Sequence, residues 1–220
     1  MIIKNSQQDI IIDESNDVKV IGLKISGGAD SAIVGYMLCK YVTEERPDMK
    51  ILPITTIHTG KPFQEIYSKR VVAFLKEQFG DIFLEHQTNQ CDELGETYVT
   101  SQEQLLKSCY KNKQIGVGAH YTGITANPPL EVTETFGHAG PDDDRNGKMF
   151  ETHGIRWRKP LANIDKKGVA ELYHSLGVFD TLFPITRSCE AWAKHEEYNI
   201  DKHCGTCWWC KERHWGFGKL

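Results

Sequence analysis

Residues 26–31 read Ser-Gly-Gly-Ala-Asp-Ser, a run of hydroxyls, glycines and one carboxylate with very little side-chain bulk. Before it, Val18, Val20, Ile21, Leu23 and Ile25 read as a short buried strand; after it, Ile33, Val34, Met37, Leu38 and Tyr41 recur at helical spacing. Ser26, Gly27, Gly28, Ala29, Asp30 and Ser31 therefore turn a strand into a helix, with backbone N–H groups at the helix N-terminus. That end carries unpaired donors and the positive pole of the macrodipole, which suits phosphate. Gly27 and Gly28 remove the Cβ atoms that would hold an anion away from the backbone. Ser26 and Ser31 add hydroxyl donors, and Asp30 is placed to hold Mg²⁺ or to order the loop. The plain alternative is a tight strand-to-helix turn with Asp30 or Ser31 as N-cap. The run matches neither Gly-x-Gly-x-x-Gly nor Gly-x4-Gly-Lys-Ser/Thr, so the Rossmann dinucleotide and Walker loops are excluded.

A second chemical cluster lies near the C-terminus. Cys189, Cys204, Cys207 and Cys210 give C-x14-C-x2-C-x2-C, a knuckle of three cysteines with a distant fourth able to close a tetrahedral thiolate site for Zn²⁺. Thiolates exclude Mg²⁺ and Ca²⁺ from this site. An iron–sulfur cluster is the competing occupant, and His195, His203 or His214 could replace one thiolate. A closed four-thiolate site leaves no place for water, so its role is expected to be structural. Such sites contribute about 10–16 kcal/mol in model peptides. Cys39, Cys91 and Cys109 stand apart and read as packing residues.

The elements that would position these clusters alternate along the chain. "KILPITTI" (50–57) reads as a second strand. Pro62 to Phe79 reads as a helix with an inner face of Phe63, Ile66, Tyr67, Val71, Phe74 and Phe79. "DIFLEHQ" (81–87) reads as a third strand, Ser101 with Gln104 as a capping box opening a helix to about Asn112, and "QIGVGA" (114–119) as a fourth strand. Asp165 to Leu176 reads as a helix ended by Gly177, with Val169, Leu172, Tyr173 and Leu176 inward. This alternation implies an α/β fold, a doubly wound, mostly parallel Rossmann-like sheet, with a C-terminal zinc-binding knuckle. Ligands collect beyond the carboxyl ends of such strands. Loop 26–31, "HTGK" (58–61) and "HYTGIT" (120–125) are thus expected around one crevice, and His58, Thr59 and Gly60 join the candidate nucleotide site. From Tyr121 to about Lys159 no periodicity holds; the stretch reads as a lid or substrate loop, with disorder of "PDDDRNGK" as the alternative. The division expected is an α/β domain over 1–180 and a four-cysteine region over 181–220.

Length and composition set bounds. At 220 residues, 40% hydrophobic and 25% charged, the chain is ordinary for a soluble globular protein and can bury a full core. No apolar run reaches membrane-spanning length, and "MIIKNSQQDI" lacks a signal pattern. Seven cysteines without an export signal point to a reducing compartment, the cytoplasm. The formal net charge of −4 argues against broad electrostatic binding to nucleic acid. "RWRK" (156–159) is a local basic cluster, either a solvated turn or a substrate contact.

Taken together and in this order, the motifs resemble the 7-cyano-7-deazaguanine synthase family of the N-type ATP pyrophosphatases. The resemblance runs through "SGGADS", "HTGKPFQEIYSKRVVAFLKEQFG", "KPLANIDKKGVAELYHSLG" and "SCE…CGTCWWCKERHWGF". It implies ATP on the 26–31 loop, Mg²⁺ with it, and Zn²⁺ on Cys189, Cys204, Cys207 and Cys210. It further implies an ATP-dependent ligase condensing 7-carboxy-7-deazaguanine with ammonia to the nitrile. Lys166 falls at the lysine of the family's Pro-Leu-x4-Lys stretch and is the candidate cation for the leaving pyrophosphate, with Asp30 as its catalytic companion; a solvated lysine at a helix start is the alternative. Where the family has Tyr-Pro-Asp-Cys-Arg, this chain has "ANPPLEV", followed by "TFGHAGPDDDRNGKMFETHG", so the acceptor is expected to be that carboxylate or a related one. Partners are small molecules, with no membrane; a homodimer is compatible with the sequence. Rival functions are a sulfurtransferase acting on tRNA, needing Cys91 or Cys109 as thiol, and a non-catalytic nucleotide sensor.

Overall fold

The computed structural model describes residues 1–91, 96–112, 114–137, 156–190 and 199–220. The expected tip of the irregular segment, 138–155, and His195 lie outside the described residues. Two short strands, β1 (Ile2–Ile3) and β2 (Ile10–Ile11), pair antiparallel. The main sheet comprises β3 (Val20–Lys24), β4 (Lys50–His58), β5 (Gln87–Cys91), β6 (Val117–Tyr121) and β7 (Trp157–Arg158) in the order β5-β4-β3-β6-β7, with every pairing parallel. Helices α1 (Ala29–Glu44), α2 (Phe63–Phe79), α3 (Glu96–Lys111), α4 (Leu130–Thr135), α5 (Lys166–Ser175) and α6 (Trp208–Phe217) connect and cover it. The expected α/β class holds. No described helix is long and apolar enough to cross a membrane.

Central β3 is buried along Ile21, Gly22 and Leu23, as a parallel strand covered on both faces must be. The main core joins Ile21, Leu23 and Ile25 to Ile33, Met37 and Leu38 of α1, to Val71 and Leu75 of α2, and to Leu172 and Tyr173 of α5. Phe217 of α6 reaches the same core, so the C-terminal helix is sewn into the sheet domain.

Several expectations shift, among them the fourth strand, read over 114–119, which is β6 at Val117–Tyr121. The third strand is not "DIFLEHQ". Ile51 N–H donates to Ile82 O at 2.8 Å and Leu84 N–H to Ile51 O at 2.8 Å, but the next donor on β4 is Pro53, which has no N–H. The ladder stops after the single bridge Ile51↔Phe83 and resumes one residue out of register at Ile54↔Gln87. The inner face of α2 is Phe63, Gln64, Tyr67, Ser68, Val71, Val72 and Leu75, while Ile66, Phe74 and Phe79 lie on its half-buried flank. Helix α3 begins at Glu96, so Ser101 and Gln104 sit inside it and form no capping box. In the basic cluster, Arg158 Nε donates to the buried Glu14 at 2.7 Å, and Arg156 reaches Asp17 at 3.5 Å near the surface.

His120 on β6 is fully buried and lies against β3, where a Cβ on Gly22 would come within 2.2 Å of its Nδ1. Burial pushes its pKa down to about 4 from 6.5, so the folded ring stays neutral. The unfolded chain takes up a proton there as pH falls below 6.5 and the folded chain refuses it until about 4. Stability contributed by this ring is therefore complete above pH 6.5 and is lost as pH falls toward 4, at about 1.4 kcal/mol per pH unit. Denaturant titrations across that window should show the decline, and a shallower one in His120→Asn; an unchanged slope in the variant would contradict the assignment.

Candidate functional site

The 26–31 loop leaves the carboxyl end of β3 and enters α1. Gly27 has φ +82°, and a Cβ there would lie 2.6 Å from the Tyr67 Cβ, so only glycine fits between the loop and α2. The N-cap is Gly28, and no side chain caps the helix. The alternative of an Asp30 or Ser31 cap is therefore excluded. Ser31 Oγ instead accepts from Ser26 N–H at 3.2 Å and donates to Gly28 O at 3.1 Å, while Ser26 Oγ accepts from Gly28 N–H at 3.3 Å. These bonds brace the turn and leave the first-turn amides of α1 without a side-chain cap, which is the arrangement an anion uses. Ala29 is buried, and its carbonyl accepts from Tyr173 Oη at 2.8 Å. Gly123, in the segment after β6, packs against the same helix start: a Cβ on it would stand 2.5 Å from Ser31 N.

Asp30 carries the charge in this turn. Its Oδ2 pairs with Lys166 Nζ. Its Oδ1 is buried and has no hydrogen-bond partner among the described residues. A carboxylate with one oxygen spent on a cation and the other bare suits a hard divalent ion, and Mg²⁺ fits that oxygen donor. Lys166 is the first residue of α5, whose N-cap Asp165 accepts from Lys167 N–H at 2.8 Å. Its side chain is only 5% exposed. A solvated lysine is thus ruled out.

His58 ends β4, beside β3. It is buried, and its Nδ1 accepts from Gly60 N–H at 2.9 Å, which places the ring proton on Nε2. Thr59 N–H donates to Cys91 O at 3.0 Å, and Thr59 itself is exposed. His58 therefore shapes the 58–61 turn, with Gly60 half-buried against it and Thr59 exposed. Strand order puts the three predicted loops on neighbouring strands β4, β3 and β6, at one carboxyl edge.

The four cysteines converge. Cys189, Cys204, Cys207 and Cys210 place their sulfurs within 4.8 Å of one another, and Cys204 Sγ lies 3.8 Å from Cys210 Sγ. One tetrahedral ion with metal–sulfur bonds of about 2.3 Å spaces its sulfurs ~3.8 Å apart. A cubane cluster puts each thiolate on a different iron and needs wider spacing. The backbone N–H groups of Cys204 and Cys207 donate to Cys189 Sγ and Cys204 Sγ, each at 3.4 Å. Hydrogen bonding with Cys189 pushes the Cys207 thiol up to about 11 and, with Cys207, raises Cys210 further. Cys204 is shifted the other way: against the upward push of burial, hydrogen bonds from the Cys207 and Thr206 backbone and the Thr206 hydroxyl lower it. His203 accepts from Ser188 N–H at 3.3 Å, and burial pushes its pKa down to about 4.

Further charged residues, not read individually from the sequence, complete the site. Arg187 N–H donates to Gly27 O at 2.8 Å, tying the irregular segment before Cys189 to the 26–31 loop. Lys61 pairs with Glu190, whose carboxyl is raised by burial. Glu212 on α6 is fully buried with Oε2 3.8 Å from Lys166 Nζ. Beside it, Arg213 donates to Thr186 Oγ1 at 2.9 Å and Ser188 Oγ at 3.0 Å. In the sequence these charges look like a solvated helix face; only the glycine at 216 hinted at close packing.

No protein-family model matches the chain, and no curated protein matches it. Among solved structures it is similar to the U34-tRNA thiolase NcsA from Methanococcus maripaludis with its 4Fe-4S cluster, at 16% identity and a TM-score of 0.46. That similarity covers 74% of this chain and 58% of the thiolase, so the chain spans little more than half of that protein's length. It is also similar to an NAD+ synthetase from Burkholderia pseudomallei, at 15% identity and a TM-score of 0.43, over 92% of this chain and 75% of the synthetase. Both likenesses are distant.

The sulfur spacing predicts about one metal ion per chain by elemental analysis, lost in Cys207→Ser. Iron at cluster stoichiometry with a visible charge-transfer band, or full metal retention in the variant, would contradict a one-ion site.

Proposed function

We propose that the chain is an ATP-dependent carbon–nitrogen ligase that adenylates a carboxylate and passes the acyl group to ammonia. The observation that carries this reading is the Lys166–Asp30 pair at the side-chain-free N-terminus of α1. There, amides, a buried ammonium and a half-occupied carboxylate meet beyond the strand ends. Binding energy for the triphosphate would come from the amides of 27–31 and the α1 dipole, and Lys166 would balance charge as pyrophosphate leaves. Mg²⁺, held by Asp30, would supply further charge neutralisation when bound.

The chemistry is one substitution at phosphorus followed by one at carbon. A carboxylate oxygen attacks the α-phosphorus, the bond to the bridging oxygen breaks, and pyrophosphate departs. Ammonia then attacks the acyl carbon, gives up a proton, and expels AMP to leave a primary amide. The amide oxygen then attacks the α-phosphorus of a second ATP with departure of pyrophosphate, and loss of AMP, which carries that oxygen away, and of the two protons on nitrogen leaves the nitrile. No side-chain nucleophile is required, so the protein's contribution is positioning and electrostatics. The motif resemblance favours 7-carboxy-7-deazaguanine as the acceptor. The four cysteines favour Zn²⁺, in a closed structural role at the start of α6.

A second reading, ATP-dependent sulfur transfer, draws on Cys91. This residue ends β5 directly opposite His58, at the same sheet edge as the loop. Cys109 does not serve it: it packs against Leu52 and Val117, and burial raises its thiol.

Incubation with ATP, ammonium and 7-carboxy-7-deazaguanine, followed by mass spectrometry, should give AMP, pyrophosphate and the amide or nitrile. Asp30→Asn, which keeps an oxygen for Lys166 but removes the charge, should lower AMP formation at least about a hundredfold. Unchanged ATP would contradict the ligase, and AMP formation dependent on a sulfur donor and on Cys91 would favour the second reading.

A further inference from the structure

Helix α6 lies along the whole length of the Lys166 side chain. At one end a Cβ on Gly216 would stand 2.3 Å from the Lys166 Cβ, so the helix backbone touches the base of the lysine. Glu212 is four residues earlier and therefore on the same face one turn away. It brings Oε2 to 3.8 Å from Nζ at the other end. The ammonium is thus held between two carboxylates, Asp30 from α1 and Glu212 from α6, with both lysine and glutamate out of solvent. Arg213, the next residue, turns away to Thr186, Ser188 and the Phe183 carbonyl, at 2.9, 3.0 and 3.2 Å.

We infer that Glu212 is a positioning residue that keeps Lys166 in place when Asp30 turns to a metal–nucleotide complex. This role rests on the nucleotide reading above. Asp30 has two calls on it: Lys166 at Oδ2 and, at the bare Oδ1, a cation arriving with the triphosphate. A carboxylate drawn toward that cation loosens its hold on the lysine. With Asp30 alone, the lysine would then be a buried charge without a counterion, which is strongly unfavourable. Glu212 supplies the second counterion from a helix fixed by the Cys207 and Cys210 ligands, so Asp30 is released at little cost. Lys166 stays aimed at the phosphates.

The sign of the effect separates positioning from simple charge. Removing a buried anion near a polyanion strengthens binding if only the long-range field matters. The positioning role predicts the reverse. In calorimetry with Mg·ATP, Lys166→Met should weaken binding at least about tenfold and Glu212→Gln about fivefold. Because Glu212 acts through Lys166, the double variant should bind no more weakly than Lys166→Met alone. Glu212→Asp should recover part of the loss, and metal content should be unchanged in all four proteins. Equal or tighter binding by Glu212→Gln, or losses that add in the double variant, would overturn the role while leaving the nucleotide site intact. Absence of Mg·ATP binding by the unsubstituted protein would overturn the nucleotide reading itself and this role with it.

Discussion

The ion pair between Asp30 and the buried Lys166 is the contact on which the remaining architecture turns. It joins the first helix of the chain to the fifth across 136 residues of sequence, at the point where the sheet's carboxyl edge opens. Burying such charges is costly unless each is matched, and removing one partner leaves the other stranded. The matching is done by parts that arrive late in the chain. α5 must begin at Lys166, which the Asp165 cap secures, and α6 must present Gly216 and Glu212 to the lysine.

That requirement gives the cysteine knuckle a place in the account. Cys207 caps α6 and Cys210 sits in its first turn, so an ion bound to the four sulfurs fixes where α6 starts. The short strap from Thr186 to Glu190 carries the same constraint to the loop. Arg187 bonds Gly27, Ser188 accepts from Arg213, Cys189 belongs to the four-sulfur cluster, and Glu190 pairs with Lys61 beyond β4. The cysteine cluster stands apart from the 26–31 loop yet is tied to it through this strap and through α6.

Much of this was legible in the sequence where one residue type has one physical use. Gly27 could be read because a loop approaching an anion tolerates no Cβ, and the structure shows the positive φ and the crowding by Tyr67 that enforce it. The four cysteines could be read because thiolates at two-residue gaps have few alternatives. Asp165 with Gly177 bracketed α5 to within a residue. What escaped depended on distant partners. The displaced β5 follows from Pro53 on a neighbouring strand, which periodicity within "DIFLEHQ" cannot register. Glu212 and Arg213 lie in a Lys-Glu-Arg run that looks solvated, and only the packing of α6 on α5 reveals them as buried. The early start of α3 was hidden because residues 96–103 carry few apolar side chains to set a period.

The central claim is that the N-terminus of α1, with Lys166, is a phosphate site. Titrating isotope-labelled protein with magnesium pyrophosphate and following backbone amide shifts tests it without any assumption about the acceptor. The account predicts saturable shifts that are largest at Gly27, Gly28, Ala29, Asp30 and Ser31, and that need at least about tenfold more ligand in Lys166→Met. Saturable shifts centred on another surface, or none in the 27–31 amides, would contradict it.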